Sequence, residues 1–153
     1  MNADDLAHDS FVLERRYDAP PARVFAAYAD LAARCSWGAP SPDEAIVYSE
    51  HDFRSGGRDV YRCGPRDDLR YHGSVRYEHI VEDRRIVLVE RIESAGALLS
   101  LALITWDLEA DGAGTRLRLT TQIASLVGAS MIQGSRGGTR AAIDNLGDWL
   151  GRH

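Results

Sequence analysis

Six polar residues fall in segments of β character where an enclosed acid–base site could form: His51, Asp59, Tyr61, Arg62, Tyr71 and Glu90. A carboxyl or imidazole taken out of water acquires a shifted pKa, which suits it to proton transfer. The same residues could also face solvent or neutralise one another, as Arg62 would with Glu90. Spacing does not decide between these arrangements. Metal binding is poorly supported. His51, Cys63, His72 and His79 lie close along the chain, yet no HxxxH or CxxC spacing occurs. His72 and His79 have opposite parity on one strand, so without a bulge they point to opposite faces. Covalent catalysis lacks a nucleophile elbow of the GxSxG kind. Cys63 precedes Gly64 at the end of a hairpin segment, where a thiol is incidental. No metal, no cofactor and no catalytic residue is therefore assigned.

Aromatic residues are the stronger signal. Trp37, Tyr48, Tyr61, Tyr71, Trp106 and Trp149 recur through the segments that would surround an interior. Such side chains make broad apolar walls with polar tips. With Val75, Ile143 and Leu146 they form the expected ligand-binding set, and Thr105, Thr120 and Gln122 are candidate polar contacts. Gly56-Gly57, Gly112 and Gly114 do not make a phosphate loop. Phosphate loops join a strand to a helix, and these glycines join strands to strands.

The elements that would position these residues follow from periodicity. Residues 11–17 read as a first strand, ended by Asp18-Ala19-Pro20-Pro21. Proline suits a helix start, and Asp18 is a candidate cap. Val24, Ala27, Tyr28 and Leu31 then fall at helical spacing, with a second short turn over 31–37. Strands follow over 45–51, 58–63, 69–80, 85–93, 98–108 and 115–123, separated by glycine- and aspartate-rich turns. In the long strand 69–80, Tyr71, Gly73, Val75 and Tyr77 share a face. Ile143, Leu146 and Leu150 mark a C-terminal amphipathic helix starting between 135 and 139. Residues 124–134 read as an irregular loop or a first helical segment, and Gly128, Gly134, Gly137 and Gly138 favour a break. One helix across a long curved sheet covers it incompletely, and the resulting gap is a natural ligand site.

This order resembles the helix-grip layout of the START-like (SRPBCC) superfamily, an α+β fold shared with birch-pollen-allergen-like proteins. Particular stretches resemble the branch named for the activator of the heat-shock-protein ATPase: RRYDAPPARVFAAY at 15–28, DFRSGGR at 52–58, YEHIVEDRRIV at 77–87, GTRL at 114–117 and the helix over 138–150. The resemblance implies a curved antiparallel sheet of about seven strands around a long C-terminal helix, with two short helices after strand 1. It covers nearly the whole chain. It implies a ligand-binding or chaperone-cofactor domain, with polyketide cyclases and lipid carriers among more distant relatives. Two positions depart from the pattern. Cys35-Ser36-Trp37-Gly38 keeps one tryptophan where relatives carry a pair, and Arg58-Asp59 are charged where an aromatic is usual. Both departures imply a more polar cavity mouth.

At 153 residues one domain is expected, assigned to 10–153, with 1–9 as a flexible N-terminus. A net charge of −5 disfavours nucleic acid as a partner. No apolar run nears the ~20 residues a membrane helix needs. Residues 1–10 lack the basic start and apolar run of a signal peptide, so a cytoplasmic location with free Cys35 and Cys63 is expected. The leading expectation is a non-enzymatic module that binds a small apolar or amphipathic molecule between helix and sheet. A cyclase- or dehydratase-type enzyme using the same cavity is the alternative. A chaperone ATPase co-regulator acting through an apolar outer face is a third. A homodimer is compatible with the sequence, which sets no interface for it.

Overall fold

A computed structural model describes residues 5–153. Strand β1 (Ala7–Tyr17) leads into helices α1 (Pro21–Ala29) and α2 (Leu31–Gly38). Six strands follow: β2 (Glu44–His51), β3 (Arg58–Pro65), β4 (Tyr71–Val81), β5 (Arg85–Ser94), β6 (Ala97–Asp111) and β7 (Gly114–Ser125). Helix α3 (Ala129–Arg152) ends the chain. The sheet has seven strands in the order β1-β7-β6-β5-β4-β3-β2, and every neighbouring pair is antiparallel. The α1–α2 excursion carries the chain from one sheet edge to the other. This is the helix-grip fold that the sequence resembles.

The structure differs from the periodicity most at the starts of β1, α1 and α3. β1 starts earlier, at Ala7, because Ala7, His8 and Asp9 pair with Ser125, Ala124 and Ile123. Of the expected flexible N-terminus, residues 1–4 lie outside the described residues. Helix α3 also starts earlier, at Ala129, which resolves the ambiguity over 124–134. Gly128, at φ 93°, breaks the chain there in a conformation other residues rarely adopt. The helix then runs through Gly134, Gly137 and Gly138 because tertiary packing of Ile132, Ile143, Leu146 and Leu150 outweighs poor local propensity. Asp18 does not cap α1: its carboxylate pairs with Arg16, and Pro20 is the N-cap.

The core lies between α3 and the concave face of the sheet. Ile143 and Leu146 are fully buried, beside Leu117 and Leu119 of β7. Tyr17 Oη donates to the Ile143 carbonyl at 2.7 Å, tying β1 to α3. Asn145 Nδ2 donates to the Ala39 carbonyl at 3.0 Å, tying α3 to the end of α2. On the opposite face of the sheet Val12, Leu101 and Leu103 are exposed. No helix among the described residues is long and apolar enough to cross a membrane.

Candidate functional site

The inner face of the sheet follows strict alternation. β3 turns Asp59, Tyr61 and Cys63 inward, β4 turns Gly73, Val75 and Tyr77, and β5 turns Ile86, Leu88 and Glu90. α3 crosses one end of this surface. A cavity of about 740 Å³ remains between them. Its helical side is Trp37, Ala142 and Ile143, and its sheet side includes Tyr48, Tyr61, Val75, Leu88 and Trp106. Pro40, Gly64, Pro65 and Gly138 complete the rim.

The aromatic wall is interlocked. Trp106 packs against Tyr28 and Trp37 at centroid distances of 5.1 and 5.9 Å. Tyr48 packs against Tyr61 at 5.4 Å. Such tilted and edge contacts are the favoured geometries for aromatic pairs.

Deeper in the fold lies a buried polar cluster. Arg34, on α2, donates through Nη1 to Asp59 Oδ2 at 2.6 Å and through Nε to the Tyr28 carbonyl at 2.9 Å. Tyr77 Oη donates to the same Asp59 oxygen at 2.5 Å, and His51 Nδ1 lies 2.9 Å from Asp59 Oδ1. The Asp59 side chain is 0% exposed. Burial alone would raise its pKa, but hydrogen bonds from Tyr77 and Arg34 outweigh that and hold the carboxyl below its ordinary value. Burial also opposes the Arg34 charge. The surrounding tyrosines and Asp59 more than offset this, and the guanidinium pKa is raised. Arg34 further stacks over the Tyr28 ring at 4.5 Å. Every charge in the cluster has its partner, so it is a brace between α2 and the sheet rather than a reactive group. Burial likewise pushes Tyr28 up to about 12.

A second polar pair faces the cavity. Tyr61 Oη donates to Glu90 Oε2 at 2.6 Å. Burial raises the Glu90 pKa, and the Tyr61 bond offsets only part of that. Burial also pushes the Cys63 thiol up to about 11, helped by the carboxylates of Glu90 and Glu44. That thiol is poorly suited to nucleophilic work.

Of the ligand-binding set, Trp37, Tyr48, Tyr61, Tyr71, Val75, Trp106 and Ile143 line this cavity. Leu146 does not: it is fully packed in the core. Trp149 stacks on His153 at 4.2 Å and borders a smaller cleft with Cys35 and Ser36 on the other side of α2. Thr105, Thr120 and Gln122 belong to the outer face. Thr105 pairs with Thr120, and the buried, inward neighbour is Thr121. Arg62 points outward to the Leu69 carbonyl, so it does not neutralise Glu90. The polar mouth implied by Cys35-Ser36 and Arg58-Asp59 is also displaced. Cys35 and Ser36 face the other cleft, Arg58 pairs with Glu50 at the surface, and Asp59 is consumed by Arg34. The cavity's polarity comes instead from Asp43, Glu44 and Glu90. Arg34 carried no signal in the sequence, because its partner is 25 positions away on a strand. His72 and His79 are exposed despite a bulge between Tyr77 and His79.

The profile of the Activator of Hsp90 ATPase homolog 1-like protein family matches residues 18–151. Among solved structures, the Mll3558 protein of Rhizobium loti is 33% identical, with a TM-score of 0.83 over 94% of this chain and 98% of that one. An uncharacterized protein from Rhizobium leguminosarum is 29% identical, with a TM-score of 0.85 over 97% of both chains. CalU16 from Micromonospora echinospora, at 21% identity and a TM-score of 0.64 over 95% of this chain and 83% of that one, shares the fold. No curated protein matches.

Proposed function

This chain belongs to the Activator of Hsp90 ATPase homolog 1-like family, and from that premise we propose that it binds a small apolar or amphipathic molecule between α3 and the sheet. One observation carries the reading: an aromatic-walled space of about 740 Å³ persists in the interior beside a fully packed core. Its size is that of a small-molecule site. An ordinary filled core would leave no void larger than a few water molecules.

Native mass spectrometry of the protein isolated from its own host tests this directly. A co-purifying small molecule that is lost when the cavity is filled by Ala142→Trp supports it. Identical bare masses for both proteins, together with no binding of naphthalene-sized probes in vitro, would overturn it.

A second reading, an enzyme of cyclase or dehydratase type, draws on Glu90. A desolvated carboxyl hydrogen-bonded by Tyr61 and open to a cavity is suited to giving and taking a proton. On that reading Glu90→Gln abolishes turnover while ligand binding survives. The chaperone co-regulator reading draws on a different surface, the outer face bearing Val12, Leu101 and Leu103. Filling the cavity would leave that activity intact.

A further inference from the structure

Glu90 stands on the inner face of the sheet between Leu88 and Ile92. Tyr61 reaches it from two strands away. Tyr61 pairs with Gly73 of β4, and Glu90 pairs with Val75 of the same strand, so the tyrosine ring must cross β4. It does so over Gly73, where a β-carbon would fall inside the ring. This geometry fixes Oε2 of Glu90. Among the described residues no further hydrogen bond reaches the carboxyl, and none of their buried side-chain polar atoms lacks a partner. Oε1 is therefore open to the cavity.

The charge around that oxygen is one-sided. The charged residues lining the cavity are Asp43, Glu44, Glu90 and Arg34. Arg34 is already committed to Asp59 at 2.6 Å. Glu90 thus faces a partly open cavity that offers no free counter-charge among the described residues. Trp37, Tyr48 and Trp106 line the same space, and aromatic side chains are suited to contact with a cation. A carboxylate ligand would meet repulsion from three acidic groups. A neutral ligand could at most donate a hydrogen bond to Oε1 and would leave its charge uncompensated. An ammonium group would satisfy it and relieve the cost of burying Glu90 ionised.

We propose that the molecule held in this cavity is a small apolar amine, its protonated nitrogen at Glu90 and its carbon skeleton against the aromatic wall. The inference rests on the binding reading and specifies its ligand class.

Isothermal titration with three probes of one shape tests it: 2-naphthylmethylamine, 2-naphthylmethanol and 2-naphthoate at pH 7.5. The amine should bind about tenfold more tightly than the alcohol, since one partly desolvated charge pair contributes on the order of a factor of ten. The naphthoate should bind most weakly. In Glu90→Gln the amine should fall to the affinity of the alcohol, with the alcohol unchanged. Gln keeps an acceptor for Tyr61, and should that variant not fold, Glu90→Leu replaces it. Equal binding of amine and alcohol, or an amine preference that survives loss of the carboxyl, overturns the assignment while leaving the binding reading standing. Failure of all three probes to bind overturns both.

Discussion

The Tyr61 ring lies on Gly73 and occupies the volume that any side chain at position 73 would need. A glycine in mid-strand is usually a weakness, through its backbone freedom and missing side chain. Here the missing side chain is what lets an aromatic ring cross one strand to reach a carboxyl on the next, at 2.6 Å.

Gly73→Ala should therefore destabilise the protein by about 1–3 kcal/mol, the usual cost of overpacking. The sign is diagnostic. At an unconstrained position the same change gains about 0.4–1 kcal/mol by reducing the freedom of the unfolded chain. Urea unfolding followed by tryptophan fluorescence reads the difference, and an unchanged or raised midpoint would show that the ring is not held there.

Removing one member of the Arg34–Asp59 pair should be severe. Asp59→Ala leaves a guanidinium whose side chain is 6% exposed without its carboxylate. Loss of one partner of a buried pair costs about 3–5 kcal/mol. The double variant Arg34→Met/Asp59→Leu should lose less than the sum of the single losses, because each single change strands a charge. Additive losses in denaturant titrations would mean that the two residues act independently.

The two buried carboxyls should tilt the pH–stability profile in opposite directions. Asp59 has its pKa lowered in the folded state. Its stabilisation is present above the ordinary carboxylate range and lost as pH falls below about 4. Glu90 has its pKa raised. Its contribution is present below the ordinary range and lost as pH rises through the raised value. Glu90→Gln should accordingly raise the melting temperature relative to wild type at pH 7–8 and bring the two curves together near pH 4. A constant offset between the melting curves across that range would contradict this assignment.

Cys63 should be a slow thiol. With its pKa pushed up to about 11, little thiolate exists at pH 8. Alkylation by iodoacetamide in the folded state should be at least about tenfold slower than in urea, because the thiolate is the reacting species. Peptide mass mapping distinguishes Cys63 from Cys35, and a ligand seated in the cavity should slow Cys63 further. Equal folded and unfolded rates would mean that the thiol is not enclosed.

Much of this molecule is written locally. Period-two alternation and turn residues mark each strand of the meander, and Ile143, Leu146 and Leu150 mark the face that α3 buries. Hydrophobic residues segregate by period wherever they stand, so element order and the face that Gly73, Val75 and Tyr77 share on β4 were legible, whereas the side taken by Thr105, Thr120 and Gln122 was not. The start of α3 was not, because Gly134, Gly137 and Gly138 read as breaks until Ile132 finds its place in the core. Polar residues obey no such rule. The choice of Asp59 rather than solvent by Arg34, and of Tyr61 rather than Arg62 by Glu90, follows from strand register and from side-chain reach across neighbouring strands. Leu146 and Trp149 look like wall residues by type, yet they differ in azimuth on α3. One packs into the core and the other stacks on His153. Strand and helix order could be read from the chain alone because periodicity is a local property, and resemblance to the family supplied the helix-grip arrangement. That the interior keeps a cavity, and that the acidic residues lining it have no basic partner among the described residues, followed from the packing, because neutralisation is settled by distances between residues far apart in the chain.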